Sequence, residues 1–466
     1  MLTFDQIAAL VVLASVVGVL IHGRVRADVV ALTGAAVLLL VGVVRPVEVQ
    51  GAFASPAVIA LAGLFVIAYA IELSGLLGLL IRRASSLAKR LGSAGVWTVM
   101  GLCGGMGGFL NNTPIVVLAA PVIRDVAQSL DLSPKRFLMP LSHISVLGGL
   151  LTLIGTSTNL LVNDMARNAG QPVFSLFEIT PVGLCIAVGG GLWLFFVGAR
   201  QLDGAARADE EEKARIAYEK AMAEKAAREA KRKKRFNFRR FGEAGAHEDG
   251  SGDAHLGDVD LFKAADRPFD ARRAFISLGV FLLVVVTAGL GLAPIAASAF
   301  AGAVALILLR VITPEEAYAG LRPEILLLIA GMVVIGIAIE VTGLAEAGAR
   351  SLIVVIEPLG PLAALFILYG VTLFATELLS NATVAVLMTP IAVALAESLG
   401  VDPRPFLVGV MMAASAAFAT PFGYQTNVLV YQMGGYSYMD FVRIGTPLNL
   451  ITWAVAMFAI PTFFPF

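Results

Sequence analysis

Long apolar runs separated by short polar connections dominate the chain. A membrane-spanning helix needs roughly 20 apolar residues, because the hydrocarbon core is about 30 Å thick. Ten runs meet this requirement, namely 4–22, 27–44, 56–81, 136–163, 178–199, 274–291, 294–312, 324–342, 403–433 and 439–463. The pattern therefore predicts an all-α polytopic membrane protein with ten crossings.

Two further apolar stretches, 94–126 and 360–398, are too long for one crossing and are interrupted midway by polar residues. The interruptions read Asn111-Asn112-Thr113-Pro114 and Ser380-Asn381-Ala382-Thr383. Irregular backbone at membrane depth is tolerated only where it is buried in protein or lines a water-filled cavity. We therefore expect two re-entrant helical hairpins with polar tips. Polar residues near 155–159 and 420–427 interrupt two crossings in the same way, which predicts broken helices.

The chain repeats itself with an offset of about 268 residues. Segment 63–76 matches segment 331–344 at eight of 14 positions, and 155–162 matches 423–430 at the same offset. Five crossings in each half is an odd number, so the second half must enter the membrane upside down relative to the first. Inverted repeats with discontinuous helices at their interface are the architecture of secondary transporters.

We therefore predict three parts. The first repeat covers 1–200, a charged loop covers 201–271, and the second repeat covers 272–466. Each repeat is expected to begin with scaffold helices and to continue with a hairpin and a broken helix. The hairpins and broken helices are predicted at 94–126 and 136–163 in the first repeat, and at 360–398 and 403–433 in the second.

Composition and charge agree with a bilayer location. The chain is 58% hydrophobic and 15% charged, with 34 basic and 34 acidic residues, whereas soluble domains are about 25% charged. This balance provides no basic surface for a nucleic-acid partner. With the N-terminus outside, the inside loops hold 12 basic residues and the outside loops hold 4. The positive-inside rule then places the central loop in the cytoplasm and both termini outside a plasma (inner) membrane.

The predicted tips and breaks contain amide, hydroxyl and backbone groups. They contain no catalytic set of side chains and no zinc-ligand spacing, so we expect neither an enzyme nor a cofactor. Unwound carbonyls together with Asn and Thr oxygens suit sodium, and helix N-termini suit an anion. The residues therefore favour a site where an anion and its coupling cations bind together.

These tips and breaks resemble those of a known family. Asn112-Thr113 and Ser380-Asn381 in hairpin tips, followed by Thr158-Asn159 or Thr426-Asn427 in broken helices, are similar to the divalent anion/sodium symporter (DASS) family of the ion transporter superfamily. The run 153–160 resembles a bacterial branch that often carries RCK-type domains in the central loop. The central loop of this chain is too short for them.

The resemblance implies an elevator transporter, usually a homodimer in the lipid bilayer, that moves a small divalent anion, either a dicarboxylate or sulfate, with sodium. It implies one sodium at each hairpin and its adjacent break, with the anion between the tips. The implied anion contacts are Asn112, Thr113, Thr158, Ser380, Asn381, Thr383 and Thr426. The implied sodium ligands are Asn111, Asn112, Gly155, Asn159, Ser380, Asn381, Gly423 and Asn427.

Structural interpretations compete with these roles. Asparagines at the tips and breaks also cap helices well, and hydroxyls such as that of Thr156 also bond to helix carbonyls. Glu72 and Glu340 occupy matching repeat positions, where an acid is either functional or a structural cap. Glu377 is a candidate for binding a proton or a cation. His143 is either a packing residue or a proton carrier.

Three functional alternatives therefore stand beside sodium symport of a divalent anion. Glu377 and His143 would serve a proton-coupled carrier, and the same polar tips would serve an anion exchanger. Rings of polar groups also line channels, so a gated anion channel is the third alternative.

Overall fold

The computed structural model of the chain describes residues 3–22, 25–130, 132–202, 268–344 and 360–466. All regular secondary structure in these ranges is helical. The helices of the first half are α1 (Phe4–His22), α2 (Ala27–Val41), α3 (Pro46–Phe53), α4 (Pro56–Leu73), α5 (Leu76–Leu91), α6 (Ser93–Gly107), α7 (Asn112–Ser129), α8 (Lys135–Gly149), α9 (Ser157–Asn168) and α10 (Thr180–Trp193). A π-helical turn, Leu194–Gly198, continues α10.

The second half repeats this order of helices. Its members are α11 (Ala271–Gly289), α12 (Ile295–Leu308), α13 (Pro314–Gly320), α14 (Pro323–Val341), α15 (Gly360–Ala375), α16 (Asn381–Ser398), α17 (Arg404–Ser415), α18 (Gln425–Gly434) and α19 (Tyr438–Phe463). The central loop falls outside the described residues, except for its two ends.

Among the described residues, six helical segments are long and apolar enough to cross a membrane. They are Pro46–Leu73, Thr180–Leu202, Ala271–Gly289, Pro323–Val341, Asn381–Ser398 and Tyr438–Phe463. Large apolar side chains are exposed on their outer faces, as shown by Phe275, Leu283 and Phe458, which are 74%, 63% and 80% exposed. Lipid chains are the solvent that suits such surfaces. The predicted all-α polytopic fold is confirmed.

The two repeats pack on each other reciprocally. Helix α4 packs on α12, and their counterparts α14 and α2 form the equivalent pair. Both crossings need a glycine. A Cβ atom on Gly63 would lie 2.6 Å from the carbonyl oxygen of Ala299, and one on Gly331 would lie 2.9 Å from the carbonyl carbon of Ala31. Both glycines and both alanines are separated by 268 positions, so the two contacts are copies related by a pseudo-two-fold axis.

The hairpins and broken helices form a second layer with the same reciprocity. Each hairpin has two arms, α6 with α7 and α15 with α16. Each half of a broken helix packs on a half from the other repeat, since α8 packs on α18 and α9 packs on α17. Helix α9 also packs on α16, and α18 on α7. Each tip is thereby held next to a break of the other repeat as well as its own.

Some elements differ from those predicted. The crossing predicted at 56–81 ends at Leu73, because Gly75 takes a left-handed conformation with φ 68° and begins the separate helix α5. The short helices α3 and α13 were not predicted. Helix α13 begins with a capping box in which Thr313 and Glu316 bond to each other's backbone nitrogens at 3.2 and 2.9 Å. This Thr-Pro-Glu-Glu signal is readable in the sequence, but the segment is too short and polar to appear as an apolar run.

The α4–α12 crossing generates a testable prediction. Gly63→Ala should destabilise the protein by about 1–3 kcal/mol, because the new methyl group meets backbone that cannot move aside. Gly331→Ala should cost less, since the contact at its crossing is longer. The measurement is the melting temperature of purified protein in detergent. Gly279→Ala, where a Cβ meets nothing within 4 Å, is the matched control, and equal melting of Gly63→Ala and this control would contradict the prediction.

Candidate functional site

A cavity of about 390 Å³ lies where both hairpin tips and both helix breaks meet. Its polar lining comprises Asn111, Asn112, Thr113, Thr156, Ser157, Thr158, Glu377, Ser380, Asn381, Tyr424 and Gln425. Its apolar wall comes largely from α4 and α14, through Leu61, Leu64, Phe65, Ile325, Leu328 and Ile329. The cavity therefore lies between the α4–α14 layer and the layer of hairpins and broken helices.

Four helices begin at this cavity. Their N-cap residues, Asn111 for α7, Thr156 for α9, Ser380 for α16 and Tyr424 for α18, all line it. The first three caps accept a hydrogen bond from a backbone N–H of the first turn, at 3.0, 3.2 and 3.2 Å. A helix N-terminus carries a partial positive charge of about +0.5. No Lys, Arg or His side chain of the described chain lines the cavity, so these dipoles are its main source of positive potential.

Asn159 and Asn427 hold the two breaks in the same way. Each side-chain nitrogen donates to the carbonyl oxygens ten and seven positions earlier, at 3.5 and 3.1 Å for Asn159 and at 3.0 and 3.2 Å for Asn427. The Gly149 carbonyl is the last of α8, and the other three carbonyls lie in the irregular backbone of the breaks. Both asparagines are fully buried behind the cavity wall. Their nitrogens therefore have a structural function, and only their oxygens face other partners.

A threonine ties each hairpin tip to the break of its own repeat. The hydroxyl of Thr152 donates to the carbonyl oxygen of Gly108, and the hydroxyl of Thr420 donates to that of Glu377 at 3.2 Å. The threonines are 268 positions apart and the acceptors 269. This link therefore belongs to the repeat itself.

Three buried oxygen atoms of the first repeat, which we call the oxygen cluster, have no hydrogen-bond donor among the described residues. They are Asn112 Oδ1, Ser145 Oγ and Asn159 Oδ1. A Cβ on Gly107 would lie 2.7 Å from Asn112 Oδ1 and 3.5 Å from Ser145 Oγ, so the first two oxygens face the same glycine. Buried acceptors are normally paired. Neutral amide and hydroxyl oxygens are ligands for a hard cation such as sodium.

The second repeat satisfies its corresponding oxygens internally. Asn381 Oδ1 lies 2.8 Å from the hydroxyl of Thr376, which shares its hydrogen with the Ala414 carbonyl oxygen at 2.7 Å, and Asn427 Oδ1 lies 2.7 Å from the hydroxyl of Ser142. The counterpart of Ser145 is Ala413, which has no hydroxyl. The two cation sites implied by the repeat therefore differ.

Glu377 is the main polar difference between the repeats. Its Oε1 accepts from the backbone N–H groups of Phe418 and Ala419 at 2.8 and 2.7 Å and from the Asn449 side chain at 2.7 Å. Its Oε2 accepts from the backbone N–H and the hydroxyl of Thr420, both at 2.9 Å. Five donors surround one carboxylate, and the Thr420 hydroxyl shares its single hydrogen between Oε2 and the Glu377 carbonyl oxygen. Glu377 thus joins the second tip to its break and to α19.

Two hydrogen bonds connect the first tip to the second break across the cavity. The Asn112 nitrogen donates to the Tyr424 hydroxyl at 3.3 Å. The Thr113 hydroxyl donates to the Gln425 side-chain oxygen at 3.2 Å. Both bonds join different repeats, so they depend on how the repeats are positioned.

The structure places the residues expected in the site in two groups. Those that line the cavity are Asn111, Asn112, Thr113, Gly155, Thr158, Ser380, Asn381 and Gly423. Those that lie behind its wall are Asn159, Thr383, Thr426 and Asn427, all buried. Thr383 pairs with Ser380 at 2.7 Å, and Thr426 with Ser142 at 2.7 Å.

Glu377 and Thr156 also line the cavity, whereas the remaining three predicted candidates lie away from it. His143 is fully buried, with Phe418 and Phe441 edge-on to its ring at 5.2 and 6.0 Å. Glu72 and Glu340 line two smaller crevices, one at each of the matching helices.

Sequence reasoning missed Tyr424, Gln425, Ser145 and the threonine pair. Thr152 and Thr420 obey the repeat offset of 268 and were detectable by extending the alignment three residues. Tyr424 and Gln425 replace Thr156 and Ser157 of the first repeat. Departures from the repeat pattern were therefore also a usable signal.

Comparison with known proteins identifies the family. Residues 16–405 and 378–466 match the family described as citrate transporter, CitMHS. The chain belongs to the citrate transporter family. This assignment fits the resemblance to sodium-coupled anion transporters seen in the tips and breaks, and it confirms a transport protein rather than an enzyme.

Three proteins similar to this chain are described as transporters. An uncharacterised transporter of Synechocystis is 27% identical, with 91% of this chain and 91% of the relative covered. Sodium/sulfate cotransporter 1 of Chlamydomonas reinhardtii is 36% identical over 136 residues, which cover 29% of this chain and 15% of that protein. The crystal structure of the YdaH transporter of Alcanivorax borkumensis covers 89% of this chain and 86% of its own, with a TM-score of 0.48 and 13% identity.

The Glu377 network generates a prediction. Glu377→Gln should lower stability by about 1–3 kcal/mol, because its NH₂ group cannot accept and leaves a buried donor unpaired. Melting temperature is the readout. The control is Glu397→Gln, since Glu397 bonds only to the Gln171 side chain, at 3.2 Å, among the described residues. A proton-carrying Glu377 would instead tolerate the amide, so a Glu377→Gln protein that melts like the wild type would refute the structural role.

Proposed function

We propose that this member of the citrate transporter family is a sodium-coupled symporter of a small divalent anion, either sulfate or a dicarboxylate. The observation that carries the proposal is the convergence of four helix N-termini on one cavity that also borders a cluster of unpaired oxygens. The first feature suits the anion and the second suits the cation.

The missing basic side chain explains the need for a coupling ion. Dehydrating a divalent anion is expensive, and helix dipoles alone contribute typically 0.3–1 kcal/mol each at exposed sites and up to about 2 kcal/mol when partly buried. A bound cation next to the first tip adds a full positive charge. Anion binding should therefore depend on the cation, which is the thermodynamic basis of symport.

The first repeat carries the stronger candidate for the sodium site. Asn112 Oδ1, Ser145 Oγ and Asn159 Oδ1 would bind the ion without breaking an existing bond, since none has a donor within the described chain. In the second repeat, the hydroxyls of Thr376 and Ser142 must first turn away from Asn381 and Asn427. We therefore propose that the first-repeat site fills at lower sodium concentration.

The relatives support the choice of anion. A sodium/sulfate cotransporter is similar to part of this chain, and the family is described as citrate transporters. Sulfate and small carboxylates share oxygen acceptors that helix N-termini recognise. Sulfate is therefore the first anion to test, with succinate and citrate beside it.

The two-layer arrangement supports an elevator motion. The cavity has one wall on α4 and α14 and the other on the hairpins and broken helices. If the second layer slides along the first, the site moves with the tips and its access changes sides. A homodimer that holds the first layer still, in the plasma membrane with a cytoplasmic central loop, completes the proposal taken from the DASS resemblance.

The transport proposal is tested by uptake into proteoliposomes. Labelled sulfate and succinate should accumulate with an inward sodium gradient and fail to do so when choline replaces sodium. Counterflow that saturates with anion concentration should separate a carrier from a channel. Uptake that ignores sodium but follows an imposed pH gradient would replace sodium coupling with proton coupling.

The oxygen cluster generates a separate prediction. Ser145→Ala and Asn112→Ala should each raise the sodium concentration for half-maximal uptake about tenfold or more, equivalent to ~1.4 kcal/mol of binding energy per factor of ten. Asn112→Ala should also weaken binding of the anion, because this residue lines the cavity. Ser277→Ala, which removes a buried hydroxyl on α11 that likewise has no partner among the described residues, is the control. Normal sodium dependence in Ser145→Ala would remove Ser145 from the site.

A further inference from the structure

The central cavity continues into a second crevice of about 170 Å³. Phe65, Ala68 and Asn111 line both spaces, so the two meet directly beside the first hairpin tip. The crevice extends along α4 to Glu72 and is closed on the other side by the corner between α13 and α14. An anion that leaves the tips in this direction must pass through it.

The crevice on the opposite side is separate from the central cavity. It measures about 150 Å³ and is lined by Glu340 and Glu397 among others. Within the described ranges, no residue lines both it and the central cavity. The crevice that joins the cavity therefore lies on the side of Glu72 and Arg322, which the positive-inside rule places in the cytoplasm.

Arg322 is the basic side chain in this route. Among the described residues, no other Lys, Arg or His lines either the central cavity or the crevice that joins it. Its guanidinium makes no hydrogen bond or ion pair with any residue in the described part of the chain. The Arg322 guanidinium, with its donors unused among the described residues, therefore lines the crevice that leads away from the proposed anion site.

The backbone holds Arg322 at this position. Its φ of 50° is left-handed, a conformation that non-glycine residues adopt at a cost. Its carbonyl oxygen accepts from the backbone nitrogen of Ile325 at 3.0 Å, in the first turn of α14. The preceding α13 is fixed by its capping box and by Arg273, which donates to Glu316 at 3.3 Å. The strained corner is thus anchored on both sides.

We propose that Arg322 forms a second, transient binding site for the transported anion, between the central cavity and the cytoplasm. The proposal rests on the proposed function and adds a residue to it. A guanidinium binds carboxylate or sulfate through two parallel hydrogen bonds. Glu72 lines the same crevice, and its negative charge opposes long retention of the anion. Arg322 therefore speeds passage of the anion and does not hold it.

The transport test compares Arg322→Asn with Arg310→Asn. Asn tolerates left-handed backbone, so the first change removes the charge without adding strain. Arg310 is an exposed arginine with φ 55° in the preceding connection, between α12 and α13, and it lines neither space. Arg322→Asn should lower the maximal rate of sulfate or succinate transport about tenfold, within the range that charged clefts contribute to association rates. It should also remove the ionic-strength dependence of that rate.

Further measurements separate this role from a structural one. The half-saturating sodium concentration should stay unchanged in Arg322→Asn, and Arg322→Lys should recover part of the rate because it restores charge without the planar fork. Arg310→Asn should behave as the wild type. Transport by Arg322→Asn at the wild-type rate and salt dependence would overturn the proposal.

A labelling experiment tests the local field without any transport. Ala319→Cys places a thiol in the crevice at an exposed position, in a background where Cys185→Ala removes the exposed native thiol. The measured quantity is the rate of reaction with an anionic methanethiosulfonate divided by the rate with a cationic one. Arg322 should raise this ratio, and Arg322→Asn should lower it about tenfold. Sulfate or succinate should slow the reaction only when Arg322 is present.

The two assays fail in different ways. A labelling ratio that Arg322→Asn leaves unchanged overturns the role of Arg322, whatever the protein transports. A wild type that moves none of the tested anions refutes the proposed function instead, and the labelling ratio still decides whether Arg322 attracts anions.

Discussion

The demand for backbone hydrogen-bond partners inside the membrane shapes every part of this structure. Each break and each tip exposes carbonyl and N–H groups that a continuous helix would have paired. Specific side chains provide the missing hydrogen-bond partners. Asn159 and Asn427 cap the carbonyls of the breaks, and Thr152 and Thr420 bind the tips. The N-termini of the helices that follow the tips and breaks then lie at the cavity, where we propose that they bind the anion.

Both repeats contain side chains that bond to the tip and the break, but the other side chains at these positions differ between the repeats. The first repeat leaves oxygens unpaired around Asn112 and Ser145, whereas the second fills the equivalent positions with internal bonds and with the carboxylate of Glu377. The first repeat therefore keeps oxygen acceptors that an ion can use, whereas the second repeat uses the equivalent positions to hold its own backbone. The two halves of an inverted repeat can have different roles. Their shared backbone fold requires the same side chain only where that side chain bonds to the backbone.

The extent of what could be predicted follows from the same distinction. Apolar runs, polar interruptions and the offset of 268 residues predict helices, tips and breaks, since each depends on local pattern. The sequence does not reveal that Asn427 turns its nitrogen to a carbonyl and its oxygen to Ser142, because that pairing joins residues 285 positions apart. Short α13 and the five-donor shell of Glu377 were missed for related reasons. Helix α13 lacks apolar periodicity, and the donors to Glu377 come from two segments distant in sequence, 418–420 and Asn449.

The bond between Asn112 and Tyr424 has a consequence for communication between the halves. A single amide presents its oxygen to the oxygen cluster of the first repeat and its nitrogen to the phenol that begins α18 of the second. Charge drawn to the oxygen polarises the amide and strengthens donation by the nitrogen. If the proposed sodium ion binds at this oxygen, linkage works in both directions, since whatever orders Tyr424 favours the ion by the same free energy. The coupling between the two repeats would then pass through one side chain.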